Sequence, residues 1–178
     1  MGMFDKIEGV SRQFDNNYLR AGRYVLLIDE VTTGGGRKGE HWRLTGKVVA
    51  VLDNDEGRGH KLGEVVKRIR PDKQDGSLPE FKALVCVMYD CAEDEISKDH
   101  CNEITLAKDK GGRQPLAGTF VEVTAKQVET RESTPAKPKF FTRCDYNRRI
   151  EAADVRGTIG EESFARFFPN GVLPTPAE

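Results

Sequence analysis

The residues Gly22-Arg-Tyr-Val-Leu-Leu-Ile-Asp-Glu-Val31 decide the fold class of this chain. The run is rich in β-branched and aromatic side chains and is too short for a typical helix, so it predicts a β-strand. Thr32–Gly39 follows with four glycines and two cations, a composition that predicts only a flexible connection. Together the two segments predict the first half of a β-hairpin.

The second strand of that hairpin is predicted over residues 41–52. Side chains alternate between the two faces of a strand. One face would carry Trp42, Leu44, Val48, Ala50 and Leu52, and the other His41, Arg43, Thr45, Lys47, Val49 and Val51. Gly46 interrupts the middle of the run and predicts a bulge or bend. Long, bent strands of this kind are typical of barrels.

Three more strands and one helix are predicted beyond the polar turn at residues 53–59. Residues 63–70 predict the third strand, which Pro71 ends. From Pro79 onward, apolar residues recur at helical spacing, so a helix is expected over residues 79–91. Residues 90–112 predict a loop or a short helix. Strand character returns over residues 118–129 and 140–147.

This order of elements, β-β-β-α-β-β, is the connectivity of the OB-fold, a five-stranded, partly open Greek-key barrel. The fold class is therefore mainly β, an OB-type Greek-key barrel with a helix between the third and fourth strands. We expect the barrel to span residues 1–150. Residues 151–178 predict a C-terminal tail, part helical and part extended, that carries Phe164, Phe167 and Phe168.

Composition argues against a membrane or exported protein. The longest apolar runs, residues 24–28 and 83–89, are far shorter than a membrane span, and Asp5 and Glu8 lie where a signal peptide would be apolar. A cytoplasmic protein is expected. Its four cysteines should stay reduced. Cys86, Cys91, His100 and Cys101 match zinc-ligand spacings poorly, so neither a metal nor another cofactor is predicted.

The net charge of −1 conceals an uneven distribution along the chain. Residues 20–70 carry 11 lysines and arginines against 7 carboxylates, and residues 126–149 carry 7 against 3. The segments between and after them are acidic. Such alternation favours a fold with one cationic face, although chance scatter over a solvated surface would give a similar pattern.

Several segments resemble a family of phage single-stranded-DNA-binding proteins with OB-type folds. They are Tyr18–Val31, Arg37–Gly39, Val49–Leu52, Gly63, Pro115–Gly118, Val121–Val123 and Phe141-Thr142. The resemblance covers roughly residues 4–148. It implies a protein without enzymatic activity that binds single-stranded DNA in phage replication, recombination or repair, in the cytoplasm of the infected cell.

A protein that binds single strands without reading their sequence combines cations for the phosphates with aromatic rings for the bases. Trp42, Tyr24 and Phe141 are the candidate stacking rings, although Trp42 and Tyr24 fit core positions equally well. If Phe140 and Phe141 lie in a strand, they must point to opposite faces, so that one can be in the core while the other meets DNA. The candidate phosphate-binding cations are Arg37, Lys38, Arg43, Lys47, Arg68, Arg70, Lys126, Lys137, Lys139 and Arg143.

Two other functions stay open from the sequence. A protein-interaction module would use the phenylalanines of the tail to dock a replication or recombination protein, or a second copy of the chain. A metal-dependent nuclease would need clustered carboxylates to hold divalent ions. Its candidate residues are Asp94, Glu95, Asp99, His100 and Glu103.

Overall fold

The computed structural model describes residues 17–36, 39–54, 59–106 and 114–176. Within them, one antiparallel sheet has the strand order β3-β2-β1-β4-β5. The strands are β1 (Gly22–Gly36), β2 (Gly39–Asp53), β3 (Val65–Pro71), β4 (Phe120–Glu129) and β5 (Phe140–Ile150). The helices are α1 (Ser77–Tyr89), α2 (Lys98–Leu106), α3 (Ala152–Ile159) and α4 (Glu161–Phe167), with a 3₁₀ turn at Glu93–Glu95.

The mainly β fold and the order of three strands, a helix and two strands are confirmed. The sheet itself is open, because the described residues form no ladder between its two outer strands, β3 and β5. The two edges are nevertheless close: the Arg68 side chain of β3 donates a hydrogen bond of 2.8 Å to the Thr142 carbonyl oxygen of β5. We call the gap between these two edges the seam.

The glycine-rich segment after β1 is more ordered than its composition predicts. Its backbone continues the ladder, with Thr33 opposite Trp42 and Gly36 opposite Gly39, so the prediction of a purely flexible connection is wrong for Thr32–Gly36. Gly34 has a specific role, because a Cβ atom there would lie 2.9 Å from the His41 ring. The missing side chain lets that ring lie across the hairpin.

Bulges bend the β1–β2 pair, as the glycine at position 46 suggests. The register shifts between Ile28 and Glu30, which pair with Gly46 and Thr45. A second shift, between Val25 and Leu26, leaves an extra residue in β2 and reverses its side-chain alternation. The face prediction is therefore wrong at three positions. Ala50 joins the outer cluster, Val51 packs on the inner one, and Leu52 is exposed.

Two apolar clusters cover the two faces of the sheet. The inner cluster packs α1 and α2 against the sheet, with Leu84, Met88 and Ile104 almost fully buried. The outer cluster packs α3 and α4 against Val25, Val49 and Phe120. The helical tail is thus confirmed, and it covers the outside of the sheet. Phe164 and Phe168 are buried there, with the Phe168 ring edge-on to Phe120.

Candidate nucleic-acid interface

Tyr24 and Trp42, the two rings that the sequence left between core and surface, both lie in the inner cluster. Tyr24 has no exposed surface, and its hydroxyl donates to the Ala21 carbonyl oxygen at 2.7 Å. Trp42 is 4% exposed, and its indole N–H donates to the Ser77 carbonyl oxygen at 3.1 Å. Their role as stacking platforms is therefore a wrong prediction for this structure. Neighbouring side chains of the inner cluster cover both faces of each ring, so no base can stack there.

Arg68 and Arg70 are also buried, and they pair with one carboxylate of α1. Arg68 donates from Nε and Nη2 to the two oxygens of Glu80, each at 2.7 Å, and the Nε atom of Arg70 lies 3.2 Å from Glu80 Oε2. The cause is strand alternation: Val66, Arg68 and Arg70 share the face of β3 that points to the core. These arginines join α1 to the sheet and do not present their charge to solvent.

The other predicted cations that the structure describes lie at the surface in two groups, one on β2 and one around the β4–β5 hairpin. Arg43 pairs with Glu30 at 3.2 Å on the outer face of β2, which also carries Lys47. Arg143 of β5 lies opposite Lys126 of β4, and Lys137 and Lys139 lie on the loop between those strands. Arg37 and Lys38 fall outside the described residues.

The seam brings together the aromatic and cationic side chains that a single strand requires. A groove of about 220 Å³ lies there between the edges of β3 and β5. Tyr18, 56% exposed, and Phe141, 37% exposed, line it together with Lys67 and Ile69 of β3. Thr142 and the buried pair of arginines form its floor. Of the predicted stacking rings, Phe141 is the one that the structure leaves accessible.

The loop between β4 and β5 extends the cationic surface beside the seam. Residues 126–143 hold five lysines and arginines against two carboxylates. One carboxylate, Glu132, pairs with Lys139 at 2.8 Å. Phe140, 55% exposed, sits where this loop enters β5. The prediction that one ring of Phe140-Phe141 would be in the core is therefore wrong, and both rings are accessible.

A buried histidine holds the segment that carries Tyr18. The backbone of residues 17–19 pairs with β3, with the Leu19 N–H donating to the Lys67 carbonyl oxygen at 2.9 Å. The Arg20 N–H donates to Nε2 of His60 at 2.9 Å, while Nδ1 of His60 lies 2.7 Å from Glu64. The hydrogen bond from His60 lowers the pKa of the Glu64 carboxyl. Tyr18 is therefore held by backbone pairing on one side of the groove.

Tyr18 and Lys67 are the ring and the cation of the groove that the sequence prediction missed. A signal for Lys67 was present, because alternation puts it on the face opposite Val66, and an apolar residue indicates the core side. The same argument would have placed Arg68 and Arg70 inside. Tyr18 carried no such signal. Its position depends on the pairing of residues 17–19 with a strand almost fifty residues away.

A larger cavity than the groove of the seam, about 640 Å³, lies between the β1–β2 hairpin and the helices α1 and α2. Apolar side chains, among them Phe81, Leu78 and Ile96, line much of its wall. Its charged lining is balanced, with Glu40 and Asp72 against Lys82 and Lys98. The groove of the seam differs in this respect, because its lining contains cations and no carboxylate.

The residues considered for metal binding do not converge. In the described part of the chain, no group of three or more histidine, cysteine or carboxylate side chains could hold a metal ion. The His100 ring packs instead against Tyr89, with ring centroids 5.3 Å apart. All four cysteines are free thiols, and burial raises the pKa of Cys144 to about 12. The nuclease and zinc hypotheses thus gain no geometric support.

Comparison of the chain with models of known protein families, and with curated protein sequences, gives no match. Among the described residues, no helix is both long and apolar enough to cross a membrane.

Proposed function

We propose that this chain is an OB-type protein that binds single-stranded DNA without sequence preference, along the seam between β3 and β5. The observation that carries the proposal is the pairing of two accessible rings, Tyr18 and Phe141, across one groove that also contains Lys67. A single strand has no groove in which its bases could be read. Proteins that bind single strands without sequence preference therefore stack the bases on aromatic side chains.

The topology supports the OB-type assignment. With the strand order β3-β2-β1-β4-β5, a ladder between the two outer strands would close the sheet into a five-stranded barrel. The Arg68 hydrogen bond to Thr142 already spans that gap. OB-folds bind oligonucleotides on the middle of the sheet and in the flanking loops. The seam lies at the outer edges of the sheet rather than at its middle, but it includes β3 and adjoins the loop between β4 and β5, which is one of those flanking loops.

The distribution of charged side chains also favours the seam and the neighbouring loop as the DNA-binding surface. The loop between β4 and β5 carries an excess of cations, and the phosphate backbone dominates the affinity of nucleic-acid binding. The resemblance to phage single-stranded-DNA-binding proteins favours a role in phage DNA replication, recombination or repair, with no catalytic step. The competing tail-docking function loses two of its three rings, because Phe164 and Phe168 are buried against the sheet, while Phe167 is partly buried beside them.

The test is a fluorescence-anisotropy titration of a labelled oligothymidine with the wild type and the variants Phe141→Ala and Tyr18→Ala. Each stacked ring contributes about 1 to 3 kcal/mol, so each variant should weaken binding about 5- to 150-fold. Leu78→Ala is the matched control, because Leu78 is 62% exposed but lines the cavity between the hairpin and the helices and does not line the groove of the seam. It should leave the affinity unchanged.

Duplex DNA and RNA oligonucleotides complete the titration, at salt concentrations of about 50 and 200 mM. The proposal predicts that single-stranded DNA binds more tightly than duplex and that affinity falls with salt as counterions are released. Equal affinities of Phe141→Ala, Tyr18→Ala and Leu78→Ala would overturn the assignment of the seam. Absence of any nucleic-acid binding by the wild type would overturn the function itself.

A further inference from the structure

A second cationic depression lies beside the seam, on the other side of the first residues of β5. It is a cleft of about 560 Å³ where the start of β1 meets the ends of β2 and β4. Three cations line it, Arg20, Arg23 and Lys126, against one carboxylate, Asp53. The wall is completed by the uncharged residues Ala21, Gly22, Thr124, Ala125 and Gln127.

The three cations are held in place but keep donors to spare. Arg20 is 46% exposed and uses Nη2 on Glu64, and Arg23 is 51% exposed and uses Nε and Nη2 on the buried carboxylate of Glu122. A guanidinium has five N–H donors, so each arginine retains several for an anion. The exposed Lys126 side chain makes no hydrogen bond or ion pair with the described residues.

The arginine geometry is fixed by a buried acid. Glu122, 1% exposed, accepts hydrogen bonds from Arg23 at 2.5 Å, from Arg148 at 2.9 Å and from Asn147 at 3.1 Å. Because Glu122 cannot leave its position in β4, the guanidinium of Arg23 is anchored at the rim of the cleft. An anion that binds there meets a cation whose side chain has already lost much of its rotational freedom.

The cleft and the seam are close enough for one nucleic-acid strand to contact both. Gln127, which lines the cleft, is the ladder partner of Thr142, which lines the seam, so one strand spacing of about 5 Å separates them. On the other side, Tyr18 of the seam is two residues from Arg20 of the cleft. Both connections run through backbone that is paired to the sheet or to β3.

We propose that the cleft of Arg20, Arg23 and Lys126 holds backbone phosphate of the same DNA strand whose bases stack in the seam. This inference rests on the proposed function and adds the path that the bound DNA follows across the protein surface. The ligand is a phosphodiester, because the cleft offers separate cationic donors and no exposed ring. Asp53, opposite Arg23 in the β1–β2 ladder, opposes the bound phosphate.

The test uses two variants that should change DNA affinity in opposite directions. Each variant is titrated with the same labelled oligothymidine. Lys126→Gln removes one phosphate contact. The salt slope of a single strand should then fall by about 0.7, which extrapolates to about fivefold weaker binding at about 0.1 M salt. Asp53→Asn removes the opposing charge and should tighten binding by about two- to fivefold. A gain in affinity cannot arise from damage to the fold.

Two controls match these changes in charge at a distance from the cleft. Lys98→Gln lies at the start of α2, and Glu162→Gln lies on α4, and both side chains are exposed. Neither control should alter affinity or salt slope. If Lys126→Gln and Asp53→Asn match their controls while Phe141→Ala still weakens binding, the cleft is overturned and the proposed function stands. If wild-type protein binds no oligonucleotide, both fail together.

Discussion

The buried Arg68–Glu80–Arg70 group gives the sharpest stability prediction, through the substitution Glu80→Gln. The three side chains are 10%, 9% and 5% exposed, and Glu80 is the carboxylate that both arginines contact. Removing one partner of a buried ion pair costs about 3 to 5 kcal/mol, because the remaining charge is left uncompensated. Glutamine keeps the volume and one acceptor oxygen, so the expected loss is at the lower end, about 3 kcal/mol.

Thermal unfolding followed by circular dichroism measures this loss. For a chain of this length, about 3 kcal/mol corresponds to a decrease in Tm of roughly 6 to 12 °C. Glu161→Gln is the control, because the Arg156–Glu161 pair has the same chemistry at an exposed site, and it should leave Tm unchanged. Equal Tm values for Glu80→Gln and Glu161→Gln would show that this group is not a buried connection between α1 and the sheet.

Three further predictions concern the rest of the fold. Burial acts to raise the pKa of Glu122, but hydrogen bonds from Arg148 and Arg23 hold it below the usual 4.5. Its stabilising effect is thus complete above that pH and lost as the pH falls through the lowered pKa. Urea titrations should show a steeper loss of stability in acid for wild type than for Glu122→Gln, and parallel curves would contradict this. Phe168→Ala should cost about 3 to 5 kcal/mol in urea unfolding, since the ring is buried between the tail and the sheet; a change below about 1 kcal/mol would be inconsistent with that packing. The emission of Trp42, the single tryptophan, should not be quenched at saturating oligothymidine, whereas strong quenching would place a base against it.

The sequence predicted the order and type of the elements because local patterns carry that information. The apolar run after Gly22 and the helical spacing after Pro79 each gave an element that the structure contains, with shifted ends. Gly46 marked the bulged part of the hairpin. The prediction of which β2 side chains face the core is wrong beyond Val49. An extra residue in β2 moves the side chains that follow it to the opposite face of the sheet, and no local pattern in the sequence marks that residue.

The candidate site was harder to predict because it depends on contacts between distant segments. Cationic character alone could not separate Arg68, which pairs with a helix carboxylate, from Lys67, which lines the groove. Phe141 was selected for its type and remains accessible, whereas Tyr24 is of a similar type and is buried. Burial follows from which strand lies on which neighbour, and composition does not contain that information.

The central claim, that a single strand of DNA lies in the seam, is tested most directly by photocrosslinking. An oligothymidine with one 5-iodouracil would be irradiated on the full-length protein, and the crosslinked tryptic peptides identified by mass spectrometry. If DNA binds in the seam, crosslinks are expected in two peptides, Phe140–Arg143, which contains Phe141, and the one that ends at Arg20, which contains Tyr18. Crosslinks confined to the hairpin around Trp42, or to the helices, would contradict it.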